Sequence, residues 1–200
     1  MRPIAVSPAI LLACVVGACG SAAATPIPFR VGFPDAGTYT TNRFAPPLTV
    51  TIDDGWQVMF PDDPDEVSLE GDSGDRNLFV VSRVSQVVSP ETRMAVDAPD
   101  DLVAWLQSHP SLVAGTPTDT TVDSLPAKAI ELTNESSADV DLIAFPTGNF
   151  RVPSGVRLRV TVVPMEGADL MFSTGGPIDG FDAAIARTNP MLASLQIDDE

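Results

Sequence analysis

Two hundred residues suffice for a domain with its own core, and 44% apolar residues place the chain among globular proteins. Acids outnumber bases 27 to 11, a net charge of −16, and such a surface repels nucleic acid and anionic lipid headgroups, which are held by Lys and Arg. The acidity serves solubility, and it leaves basic proteins or divalent cations as charge-matched partners.

Arg2 is a minimal positive start to an apolar run from Ile4 to Val16, long enough for a signal-peptide core and too short to span a bilayer. The run ends in Val16-Gly17-Ala18-Cys19, which resembles the bacterial lipobox, where small residues precede a cysteine that is diacylated. The two cysteines, Cys14 and Cys19, both lie here, so the rest of the chain has no thiol for a disulfide, a metal or a nucleophile. Cys14 is the poorer candidate because cleavage there cuts the apolar core short. Residues 1–18 are expected to be a lipoprotein signal peptide, Cys19 the lipidation site, 19–36 a tether and 37–200 a single α+β domain. From Ser21 to Pro34 the chain is rich in Ala and Pro without periodicity, as a linker is. Phe29, Val31 and Phe33 offer an alternative, an edge strand. An ordinary signal cut near Ser21–Ala24, releasing a soluble secreted protein, is the other outcome. The expected location is the outer face of the cytoplasmic membrane, with a lipid anchor as the only membrane contact.

In chain order, Leu48–Ile52 alternates apolar and polar residues as a half-buried strand, and Asp53-Asp54-Gly55 reads as a hairpin turn. Trp56, Val58 and Phe60 alternate on the returning strand, which makes Trp56 a core anchor. Leu78–Val84 is apolar on both faces, the mark of a central strand covered on both sides. Pro99-Asp100-Asp101 is expected to open a helix, with proline first and acids in the first turn, that ends at His109-Pro110. Strands follow at Thr118–Val122, Lys128–Thr133 and Val140–Phe145, with Leu125-Pro126 dividing the first two. Val156–Ile197 is the best-patterned stretch. Val156, Leu158, Val160 and Val162 alternate with Arg157, Arg159 and Thr161, and Met165–Ala168 turns the chain into a second strand, Asp169–Ser173. Gly175-Gly176-Pro177 then reads as a turn before a helix on Ile178, Phe181 and Ile185. Asn189-Pro190 is expected to stop that helix, and Leu192–Ile197 to close as a strand. The pattern predicts an α+β fold, a mainly antiparallel sheet of about seven strands with two main helices packed on it.

Three pieces of this pattern carry a resemblance: Gly37-Thr38-Tyr39 with Phe44-Ala45-Pro46-Pro47 and the strand to Trp56; Trp105-Leu106 with His109-Pro110-Ser111-Leu112; and the closing unit to Leu195-Gln196-Ile197. Together they resemble a group of largely uncharacterised bacterial exported proteins, and these are similar to the PsbP-like α/β/α sandwich of actinobacterial lipoproteins. The resemblance spans Gly37 to Ile197 and implies the fold. It implies no catalytic residues. Where such proteins often carry Gly-Gly before the middle strand, this chain has Asp123-Ser124-Leu125-Pro126.

No catalytic set assembles from the sequence. Gly71-Asp72-Ser73-Gly74-Asp75 echoes the serine-protease motif, but the one histidine, His109, follows the serine where that family places it before. His109 ends a helix before a proline, where it can cap carbonyls and sit against the dipole. One histidine without free thiols leaves zinc or iron unsupported, and no cofactor is expected. Asp62, Asp63, Asp65 and Glu66, or Asp72 and Asp75, supply oxygens for calcium without the spacing of a dedicated loop. Arg151, Arg157 and Arg159 gather basic residues on an acidic chain and are the candidate ligand-binding residues. Their alternative is pairing with carboxylates across the sheet. The expected function is a lipid-anchored extracytoplasmic binding or scaffold module without catalysis, its partner an envelope protein or small ligand. The alternatives are a carrier of a small apolar or anionic ligand, in a crevice under the helix of 179–187, and a carboxylate-based hydrolase.

Overall fold

The computed structural model describes residues 25–26, 32–60, 63–71 and 76–198. In chain order these form β1 (Thr25–Pro26), β2 (Gly37–Thr40), β3 (Leu48–Ile52), β4 (Trp56–Phe60), β5 (Glu66–Gly71), β6 (Leu78–Val84), β7 (Gln86–Val88) and β8 (Ala95–Asp97). Helix α1 (Leu102–Gln107) precedes β9 (Val113–Ala114), β10 (Thr118–Val122), β11 (Leu125–Thr133), β12 (Val140–Phe145) and β13 (Gly148–Val152). The closing unit is β14 (Val156–Val163), β15 (Asp169–Pro177), a 3-10 turn (Ile178–Gly180), α2 (Phe181–Ala193) and β16 (Gln196–Ile197).

An antiparallel central sheet runs β10-β11-β14-β15-β6-β5-β4, with β9 also on β11. Its side chains alternate between two cores. Phe79, Val81, Leu170 and Phe172 face one side, where α2 residue Met191 and Leu48, Val50 and Ile52 of the small sheet β1-β2-β3-β16 meet them. Val80, Val84, Leu158 and Val160 face the other, against α1 and the sheet β13-β12-β7-β8. The α+β class and mainly antiparallel sheet hold, but each face of the central sheet carries a small sheet as well as a helix. The molecule is therefore richer in sheet than expected.

The strand β6 sits inside the sheet and is buried on both faces, as its continuous apolar run requires. The β14–β15 hairpin turns at Gly167, φ +85°, in the left-handed region that glycine enters freely. Other local signals are overruled. Asp53-Asp54-Gly55 makes a corner and not a hairpin, since β3 pairs with β2 and β16 while β4 pairs with β5. Pro190 lies inside α2, which continues to Ala193 because Met191 and, beyond the helix, Leu195 are held in the core. The last strand is therefore only β16. Asp101, not Pro99, starts α1: it is the N-cap, and its carboxylate accepts from Ala104 N at 2.9 Å. Within the expected tether, Thr25–Pro26 pairs parallel with β2, and Gly32 bridges Val58.

Leu125-Pro126 belongs to β11, and the turn before it is Asp123-Ser124, φ +47° and +67°. Two residues at positive φ make the type I′ loop that suits strand twist, a conformation that costs a serine more than a glycine. Ser124→Gly is expected to stabilise the protein by about 0.5–1 kcal/mol in urea unfolding. Asp123 has a compensating bond, its carboxylate accepting from Ile197 N at 2.7 Å, so Asp123→Gly should bring no such gain.

Candidate functional site

Arg157 and Arg159 are alternate positions of β14, and Glu131 of β11 is in register with Arg159. Alternation puts all three on the α2 face of the central sheet. Arg159 Nη2 donates to Glu131 Oε1 at 3.0 Å, and Arg157 Nη2 donates to the other carboxylate oxygen. The Arg157 guanidinium also lies 4.5 Å from the centroid of Phe181, where α2 begins. Burial pushes the Glu131 carboxyl up, but hydrogen bonds from Arg159 and Arg157 and their charges outweigh it and hold the group below its usual value. One carboxylate thus serves two guanidiniums, leaving a local positive charge on a chain of net −16.

Arg151 does not join this group. It lies on β13, in the small sheet on the opposite face, with Nε 2.7 Å from Asp141 Oδ1. Residues close in sequence separate here because the chain passes from one sheet to another between β13 and β14.

A groove of about 530 Å³ opens beside Arg159, walled by Thr118, Thr120, Glu131 and Thr161 and by Asn189 and Leu192 of α2. The crevice expected under 179–187 is filled, since Phe181, Ala184 and Ile185 are buried on the sheet side. The opening lies at the other end of the helix. A second groove, about 380 Å³, lies on the opposite face of the same strands, with Leu102, Val103 and Val162 in its apolar wall and Asp100, Asp101, Asp119, Asp169 and Lys128 around them. Burial, then repulsion from Asp101, pushes the Asp169 carboxyl up against a lowering hydrogen bond from the Met165 backbone. Sequence reasoning missed this groove. Its one local signal was Lys128, the single lysine, beside an exposed strand.

His109 is buried and neutral. Burial and the nearby Arg93 charge lower its pKa, and its Nδ1 accepts from Ser111 N at 3.3 Å, so the ring does not cap helix carbonyls as expected. Its ring meets Trp105 edge-on with centroids 5.2 Å apart.

Among the described residues Glu66 is the one carboxyl displaced far toward neutrality, pushed up to about 7 by burial and by Asp63. Raised above its unfolded value, it contributes stability at low pH that is lost as pH rises through about 7. Glu66→Gln should therefore be more stable than the parent by about 1–2 kcal/mol near pH 8.5, the gap closing toward pH 5. Urea midpoints at the two pH values check this, and a gap that does not change with pH counts against it.

Among the described residues no three His, Cys, Asp or Glu side chains form a metal-holding group, and no helix is long and apolar enough to cross a membrane. Cys19, Asp62, Asp72, Ser73 and Asp75 lie outside the described residues.

No family model matches the chain, and no curated protein matches it. Among solved structures it is similar to the solution structure of cyanobacterial PsbP (CyanoP) from Synechocystis sp. PCC 6803, at 13% identity and a TM-score of 0.46, over 91% of this chain and 98% of that one.

Proposed function

We propose that the chain is a lipid-anchored extracytoplasmic binding module, exported by residues 1–18 and held at the membrane through Cys19. The observation that carries the binding reading is Arg159 at the wall of the larger groove, held there by Glu131, whose carboxylate also takes Arg157 from outside the groove. Two guanidiniums on one carboxylate keep a directional donor face and a positive charge at one place on an acidic surface, which suits recognition of polar or anionic groups. Glu131, held ionised by its arginines, is unsuited to donate a proton as a general acid.

A photoreactive residue at exposed Asn189, on the groove rim, should give a discrete crosslinked product in intact cells. Arg159→Gln should abolish that product, and a probe at exposed Glu91 should not form it. Identical products from both positions, or no effect of Arg159→Gln, would sink the binding reading. Cys19→Ser should move the protein to the soluble fraction, and retention in the membrane would overturn the anchor.

The second reading is a carrier of a small apolar ligand, favoured by the apolar wall of the smaller groove. Native mass spectrometry after gentle extraction tests it, and bare protein alone removes it.

A further inference from the structure

We propose that the free edge of β10 docks an extended, lysine- or arginine-bearing segment of a partner protein, which adds to the central sheet as one more strand. This rests on the binding-module reading and names its partner.

The two edges of the central sheet differ. At the β4 edge, Gly32 and Val58 exchange backbone hydrogen bonds of 3.3 and 2.8 Å, so that edge is paired at its middle residue. At the other, β10 pairs only with β11 among the described residues, and Thr118 to Thr121 are exposed. The ladder tells which groups are free. Glu131 O bonds to Gly115 N on the β9–β10 side of β11, and Asn134 N bonds to Val156 O on the β14 side. Odd residues of β11 therefore bond toward β10 and even ones toward β14. Thr118, Thr120 and Val122, in register with Ala129, Ala127 and Leu125, are the bonded partners, which leaves Asp119 and Thr121 to present N–H and C=O to the empty side. Natural sheets blunt such edges with proline, bulges or several charges, and Thr118–Val122 carries one charge and neither of the others.

Both grooves flank this strand. Side chains of an added strand alternate between faces, so consecutive residues enter different grooves. Those on the α2 face meet Arg159, Glu131 and threonine hydroxyls. Those on the α1 face meet an apolar wall with four aspartates against Lys128. A lysine or arginine fits there, its stem along Leu102, Val103 and Val162 and its head among the carboxylates. A second copy of the chain fits poorly, because pairing β10 with β10 sets the same aspartates against each other.

The test uses the full chain, ¹⁵N-labelled in detergent, and short capped peptides. A peptide alternating Lys and Thr should shift the amides of Thr118–Val122. Replacing its lysines by glutamate, or N-methylating alternate amides to remove strand hydrogen bonds, should weaken it about tenfold or more. Thr121→Pro removes only an outward N–H, and should abolish binding while leaving the melting temperature unchanged. Asp119→Lys should weaken the lysine peptide and spare the fold. No saturable shift with any peptide, shifts centred away from β10, or undiminished binding to Thr121→Pro overturns the proposal. Concentration-dependent β10 shifts without peptide overturn it in favour of self-association. If the peptides fail while the Arg159-dependent crosslink at Asn189 persists, strand addition falls and the binding reading stands. Loss of that crosslink removes both.

Discussion

Trp56→Ala is expected to lower stability by about 3–5 kcal/mol, among the largest effects of any single substitution. Trp56 is fully buried where the chain leaves β3 in the small sheet and enters β4 at the edge of the central one. The Arg187 guanidinium of α2 lies 4.7 Å from its ring centroid, and Arg187 Nη2 donates to Gly55 O. One side chain thus joins the corner, the helix and the core. Truncation leaves a cavity the size of an indole and strips Arg187 of its aromatic partner. With total stability on the order of 5–15 kcal/mol, the variant should sit near the folding threshold. Urea unfolding followed by circular dichroism measures this, with Trp105→Ala, at a partly exposed helix position, as the comparison. Equal losses for the two tryptophans would mean that the corner is not the anchor.

Gly175→Ala should cost about 3 kcal/mol. A Cβ at this position meets Arg157 O at 2.2 Å and Leu158 Cα at 2.9 Å, backbone atoms of β14 that cannot rotate away. Relief requires parting the β14–β15 pair at the centre of the sheet. At Gly176 the atoms met are Asn77 Oδ1 at 2.9 Å and Ala184 Cβ at 3.1 Å, both side-chain atoms. Gly176→Ala should therefore cost less, and the order of the two melting temperatures is the decisive comparison. A Gly176→Ala variant that unfolds first falsifies the close-approach account.

The same glycines show where sequence and structure part. Gly175-Gly176-Pro177 carries the composition of a turn, yet it completes β15. A turn needs glycine for its own dihedrals, whereas this strand needs it because β14 and α2 come close, and neither neighbour is local in sequence. Asp53-Asp54-Gly55 likewise satisfies a hairpin locally, while the partners of β3 and β4 lie in different sheets.

What the residues determined by themselves is the content that short-range periodicity carries: the β14–β15 hairpin around Gly167, the two-sided burial of β6, Trp56 as core, and Arg157 and Arg159 on one face. Only the tertiary structure decided that Glu131 takes both arginines, that Arg151 pairs elsewhere, that α2 runs through Pro190, and that β10, among the described residues, is left as an open edge between two grooves. Each of these depends on which distant strand lies alongside, and burial of the whole core settles that choice against weaker local preferences.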